Sequence, residues 1–289
     1  MQIVTDRAAD LSQEQTKGLP IHYAPLFIAL DGKTYSSGID IQPENFYELL
    51  EGTDAMPTTS LPSAGEFAEL YREVAKKGGD ILSIHISSGL SGTFEAARMG
   101  AEMVKEASIT LVDSMSLSAA QGWIVEFAGK MINAGWPKEK IVETLEGLRT
   151  HIDAMYTLPS LRYLIHGGRI SHFSGLLATA LNIKPVIGVS KEDGRYELRA
   201  RVRSFNGAIK RVAEQVLTYH PKGTSLRVQF VHSRNPDAVA RLKVHFEELF
   251  DCHFLPSLAV APVVGAHAGP GMVGVVYAPM SAFAGLPEE

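Results

Sequence analysis

Three stretches of this chain concentrate hydroxyls and glycines, the groups best suited to closing around an anion: Thr58 to Ser63 (TTSLPS), Ser87 to Thr93 (SSGLSGT) and Gly265 to Gly271 (GAHAGPG). The second sits where the sequence changes character. The apolar run Ile81, Leu82, Ile84 and Ile86 stops at Ser87, and a helical pattern follows Thr93. A buried strand, a small-residue turn and a helix N-terminus are therefore expected in succession. The first N–H groups of a helix have no partners within it, and its aligned peptide dipoles favour negative charge there. Serine and threonine hydroxyls add donors. Open α/β sheets bind ligands at this carboxyl end of their strands. Gly, Ser and Thr are also ordinary turn and cap residues, but the stretch is longer than a strand-to-helix connection usually requires.

In the first stretch, Ser63 and Glu66 have capping-box spacing, which makes Ser63 structural and leaves Thr58, Thr59 and Ser60 free to face a ligand. In the third, His267 is flanked by alanine and glycine and is the best functional candidate among the ten histidines. Glycine there would permit close backbone approach, although local capping explains the histidine equally well. Asp6 ends the first strand and could face the same crevice; a helix N-cap is the commoner role for such a residue. A second chemistry is covalent. Gly89-Leu90-Ser91-Gly92 begins like a nucleophile elbow, with His267 as base, but Thr93 stands where the last glycine should be and no acid presents itself to orient the histidine.

The elements that must position these residues follow from periodicity. Gln2 to Asp6, Ile81 to Ile86 and Ile109 to Val112 read as strands. Phe67, Leu70, Tyr71 and Val74, then Ala120, Ile124, Phe127 and Met131, then Ile141, Leu145, Leu148 and Ile152 trace helix faces. Ile21 to Leu30 reads as an extended excursion returning through an Asp31-Gly32 hairpin. Strand and helix alternate up to about residue 153, which predicts a parallel sheet with helices on both faces over residues 1–153. Beyond it, Asp193-Gly194 marks an antiparallel hairpin. Residues 154–289 read as a smaller α+β lobe, with the ligand between the lobes and the last strand, about 272–280, free to rejoin a sheet.

Composition bounds the rest. With 45% hydrophobic and 20% charged residues the chain is of ordinary globular type. A net charge of −5 without a basic block argues against nucleic acid. The single cysteine, Cys252, forms no internal disulfide and no cysteine cluster suggests a metal, which fits a reducing cytoplasm. No secretory leader pattern or membrane-spanning run is apparent. Neither G-x-x-x-x-G-K-[ST] nor G-x-G-x-x-G occurs, so any ATP would come with another protein.

TTSLPS, ISSGLSGT, LRYLIHGGRIS (161–171), LNIKPVIGV (181–189) and GAHAGPG, together with the opening IVTD, resemble the DegV family in that order and with family-like spacing. The resemblance implies one long-chain fatty acid bound between two lobes, no cofactor, no metal and no ATP site of its own. Several members present the acyl carboxylate to a separate ATP-binding fatty acid kinase subunit, and peripheral membrane contact for lipid exchange fits that role. By the resemblance Thr59, Ser91 and His267 hold the carboxylate, with Ser60, Gly92 and Thr93 as the supporting turns. It also associates Arg169 and the basic run Arg199, Arg201 and Arg203 with kinase docking. A lipid carrier without a kinase partner would share every one of these residues. Leu61 replaces the family's glutamine, Arg7 a common serine or threonine, and Ala266 and Ala268 the threonines beside the histidine.

Overall fold

The computed structural model describes residues 1–173 and 183–287. The tail of the LNIKPVIGV motif lies within them, whereas Leu181 and Asn182 lie outside the described residues. Four parallel strands, β1 (Gln2–Asp6), β2 (Ile21–Ala24), β6 (Ile81–His85) and β7 (Ile109–Asp113), form the first sheet in the order β2-β1-β6-β7. All five residues of β6 are buried because helices cover both faces. Val4 and Ile81 pack with Phe67 and Tyr71 of α3 (Ala64–Ala75) and Ala97 of α4 (Thr93–Glu102). Ile3, Leu82 and Ile84 belong to the core on the opposite face, with Trp123 and Ile124 of α5 (Ser118–Asn133). The Ser63–Glu66 capping box is present at the start of α3.

Ile21 to Leu30 is not one excursion. Pro25, which has no N–H to donate, separates β2 from β3 (Phe27–Leu30), and the chain leaves the parallel sheet there. β3 pairs antiparallel with β4 (Lys33–Ser36) through Asp31 and Gly32, whose φ angles of +54° and +74° are those of a type I′ hairpin turn. On its other side β3 pairs with β5 (Thr58–Ser60).

A mixed sheet follows, made of β8 (Asp153–Thr157), β9 (Lys184–Val189), β10 (Tyr196–Val202), β11 (Ser225–His232), β12 (Asp251–Phe254) and β14 (Val273–Pro279). Its order is β10-β9-β8-β14-β11-β12, and the two-residue β13 (Leu258–Ala259) also pairs with β11. The last long strand thus lies inside this second sheet, antiparallel to β8 and β11. One face packs on Ile209, Val212 and Val216 of α8 (Phe205–Tyr219) and Leu242 and Phe246 of α9 (Pro236–Leu249).

α5 lies against both sheets, and every residue from Ser118 to Gly129 is buried, including Gln121 and Glu126. Its polar groups are paired, apart from Gln121 Oε1, which is buried with no partner among the described residues. Glu126 accepts both Arg227 (2.7 and 2.9 Å) and Gln15 (2.8 Å), while the Trp123 indole donates to Gln229 (2.6 Å). The β9–β10 connection of the second sheet also meets the Ser87–Thr93 turn, where the Ser87 hydroxyl donates to the Gly194 carbonyl (2.8 Å). A β-carbon at Gly89 would collide with the backbone at Asp193 and Gly194, so two of the turn's small residues serve this contact.

Asp6 faces neither solvent nor a helix start. Its carboxylate accepts the N–H groups of Ala8 and Ile86 (both 2.9 Å) and bonds His85 Nδ1 (3.0 Å); His85 Nε2 meets Ser83 (2.7 Å), which meets Tyr71 (2.8 Å). All four side chains are fully buried. Asp6 therefore clamps the end of β1 to the start of the Ser87 turn. Asp6→Ala would orphan two buried N–H groups, and its urea midpoint should fall by the equivalent of about 3 kcal/mol without a change in m-value. A loss below about 1 kcal/mol would mean the clamp is not needed.

Candidate functional site

Thr59, Ser91 and His267 converge on one cavity, reached from three directions. Thr59 lies in β5, opposite Ile28 of β3, so the first hydroxyl stretch is a short edge strand rather than a turn. Ser91 lies just before α4, where its Oγ is 2.8 Å from Thr93 Oγ1 and accepts the Thr93 N–H at 3.3 Å. His267 lies in the last turn of a helix, α10 (Pro262–Ala268), and not in a glycine loop. Pro262 at the first helical position, where no donor is needed, and Gly269 after the last bound it. Gly269 has φ +71°, and a β-carbon on it would strike the Tyr163 ring. That glycine therefore serves helix termination and packing rather than ligand approach.

His267 Nε2 and Thr59 Oγ1 are 2.9 Å apart, and Nδ1 is buried with no protein partner among the described residues. Gly167, which follows α7 (Arg162–His166), leaves room for the ring; a β-carbon there would collide with Nδ1. Burial, then the positive charges of Arg169 and His166, push the His267 imidazole down to about 4, so it is neutral at pH 7.

Ser60 lines the same cavity, whereas Gly92 caps α4 and the buried Thr93 begins it. Arg169 also lines the cavity. Its guanidinium is half-buried and donates to the Gly167 carbonyl at 2.6 Å. Arg201 and Arg203 are exposed and away from the cavity, while Arg199 is tied to Tyr219 and Glu197. Leu61 stands on the cavity wall.

The remaining wall is apolar, with Leu26, Ile86, Leu90, Leu117 and Val264. Leu117, Val264 and Tyr196 also line a second cavity with Tyr156, Leu158, Leu164, Ile187, Ala268 and Met272. A polar head cavity and an apolar one thus share a wall. Periodicity singled out neither Tyr196, Leu117 nor Tyr156, because strand and helix patterns mark them only as core. The two spaces are about 80 and 30 Å³, room for a few water molecules, so a larger guest must part the walls. Among the described residues no His, Cys, Asp and Glu group could hold a metal, and no helix is long and apolar enough to cross a membrane.

Two predictions follow from the crowding at His267. Gly167→Ala should displace the ring and cost about 1–3 kcal/mol in urea unfolding, the usual effect of overpacking; a variant of unchanged stability would contradict the close contact. The second concerns pH. The folded-state pKa lies below the unfolded value, so the unfolded chain takes up the proton first and stability falls as pH drops from about 6.5 to about 4. Asp10, pushed up to about 7 by burial, acts in the opposite sense over much of that range. The difference between wild type and His267→Gln isolates the histidine: wild type should lose stability relative to the variant across that interval, and parallel curves would refute a buried neutral His267.

The comparisons with known proteins agree with this architecture. The model of the DegV family, described as uncharacterised proteins, matches residues 1–280. A DegV domain-containing protein of Staphylococcus aureus is 35% identical over 274 residues, covering 95% of this chain and 97% of that protein. Among solved structures, a DegV family protein from Thermus thermophilus described by its fatty acid binding is 31% identical, with TM-score 0.83 over 96% of this chain and 99% of its own. DegV of Bacillus subtilis, described as a fatty acid binding protein, is 28% identical, with TM-score 0.85 over 96% and 98%. By sequence over nearly its whole length, and by fold, the chain belongs to the DegV family.

Proposed function

We propose that this protein binds one long-chain fatty acid, with the carboxylate against Thr59, Ser91, His267 and Arg169 and the chain running toward Leu117, Val264 and Tyr156. The observation that carries this reading is the shared wall between a cavity bearing hydroxyls and a guanidinium and a cavity that is almost wholly apolar. Relatives described as fatty-acid-binding support it. Burying about sixteen carbons is worth on the order of 12 kcal/mol gross, before the costs of ordering the chain and parting the walls. A charge-assisted hydrogen bond contributes about 1.5–3 kcal/mol and must offset desolvation of the carboxylate. The tail supplies affinity and the head supplies orientation.

A neutral His267 suits an anion only as a donor relay. With the proton on Nε2, the imidazole donates to Thr59 Oγ1 and frees the threonine hydroxyl to donate to the carboxylate; Arg169 supplies the positive charge that the histidine lacks. The bound carboxylate then lies at the cavity mouth, where a separate ATP-binding subunit phosphorylates it in the cytoplasm, with Arg201 and Arg203 as docking charges. Peripheral contact with a membrane would exchange the lipid.

Covalent catalysis is the weaker reading. Ser91 Oγ bonds Thr93, His267 Nε2 is engaged by Thr59, and Nδ1 has no acid partner among the described residues, so the nucleophile–base–acid chain is not assembled. A carrier without a kinase shares every group of the preferred reading.

Native mass spectrometry of the protein purified from cells, followed by organic extraction, should release a fatty acid. Thr59→Val and Ser91→Ala should each weaken rebinding about 10-fold or more relative to wild type while binding of the matching fatty alcohol changes little. Equal losses for acid and alcohol would contradict a carboxylate site. Acyl phosphate should form only when an ATP-binding kinase subunit is added, and labelling of Ser91 by a fluorophosphonate would favour hydrolysis instead.

A further inference from the structure

The wall of the apolar cavity includes a residue whose polar group has no partner among the described residues. Tyr156 lies on β8, between Ile187 of β9 and Gly274 of β14. Its side chain is 6% exposed, and its hydroxyl has no hydrogen-bond partner among the described residues. The ring lies over Gly274 so closely that a β-carbon there would collide with it, so the ring is held in place by the backbone beneath. Around it the cavity wall is Leu158, Leu164, Ile187 and Met272. Burial keeps the phenol protonated far beyond neutral pH, which makes it a permanent donor.

A hydroxyl buried without a partner destabilises the fold relative to phenylalanine in the same space. We infer that Tyr156 is a specificity-determining residue for the acyl tail, favouring chains that carry a hydroxyl or oxo oxygen remote from the carboxylate over plain hydrocarbon chains. This inference rests on the fatty-acid reading of the site. A saturated chain would leave the phenol unsatisfied, whereas an in-chain oxygen accepts a hydrogen bond from its O–H inside a water-poor cavity. The discrimination resembles that of other sites whose buried polar groups reject a ligand unable to pair with them. The head contacts fix where the carbon chain starts, so the preference should depend on where the oxygen lies along it.

The test compares stearate with a series of hydroxystearates substituted at successive positions from carbon 6 to carbon 12, titrated into delipidated wild type and Tyr156→Phe. In wild type at least one positional isomer should be favoured over stearate relative to its neighbours in the series. Tyr156→Phe should lower that isomer's affinity relative to stearate by about fivefold to tenfold, the size of one neutral hydrogen bond. Stearate binding by each protein is the internal reference for that ratio. A ratio of hydroxystearate to stearate affinity that is the same in both proteins at every position overturns the inference, while stearate binding leaves the fatty-acid reading intact. Failure of every acid in the series to bind wild type would instead overturn that reading.

Discussion

The head of the cavity depends on holding an imidazole out of water. His267 is pressed between Gly167 on one side and Thr59 on the other, and burial together with the nearby Arg169 keeps it uncharged. Everything that carries those three groups is therefore constrained. α10 must approach α7 closely, which accounts for the glycine after each of them. The small sheet must present β5 to α10, and the hairpin of Asp31 and Gly32 turns the chain tightly enough to keep β3 beside it. A neutral donor pair with one adjacent guanidinium makes a head site of modest charge. That suits the proposed fatty acid, whose affinity comes from its tail.

The same logic applies to the junction between lobes. α5 has no solvent-facing side along its first three turns, so its polar residues rely on partners: Glu126 on Arg227, Lys130 and Gln15, and the Gln121 amide nitrogen on Thr5. Removing one partner from such a network leaves a buried charge and is much more costly than its net contribution suggests. The Asp6 clamp does for the Ser87 turn what this network does for the sheets. Together they fix the frame around the narrow space at Leu117, Val264 and Tyr196.

Local signals in the sequence were reliable where the physics is local. Ser63 and Glu66 form the capping box their spacing suggests, and Asp31-Gly32 takes the two positive φ angles that the hairpin needs. The alternation of strands and helices up to about residue 153 describes the parallel sheet. Less was legible where the interaction spans the chain. Thr59 and His267 are 208 positions apart, and composition marks both stretches as anion-binding without giving their contact. The helical stripe of Ala120, Ile124, Phe127 and Met131 reports one buried face of α5 and is silent about the other, because helix periodicity cannot reveal a helix enclosed on all sides. Glycines 89 and 269 looked like ligand-facing residues and proved to be places where backbone or ring comes close. The part-burial of Arg169 was not legible either, since an arginine's burial depends on what folds over it.

The proposed fatty acid lies with its carboxylate at Thr59 and His267 and its chain end toward Tyr156. Isotope-filtered nuclear Overhauser measurements on uniformly ¹³C-labelled palmitate bound to the unlabelled protein test it most directly. The account predicts contacts from the α-methylene to the Thr59 methyl and the His267 ring, and from methylenes farther along to Leu117, Val264 and the Tyr156 ring. Contacts in the reverse order, or an acyl chain whose contacts lie away from these residues, would contradict it.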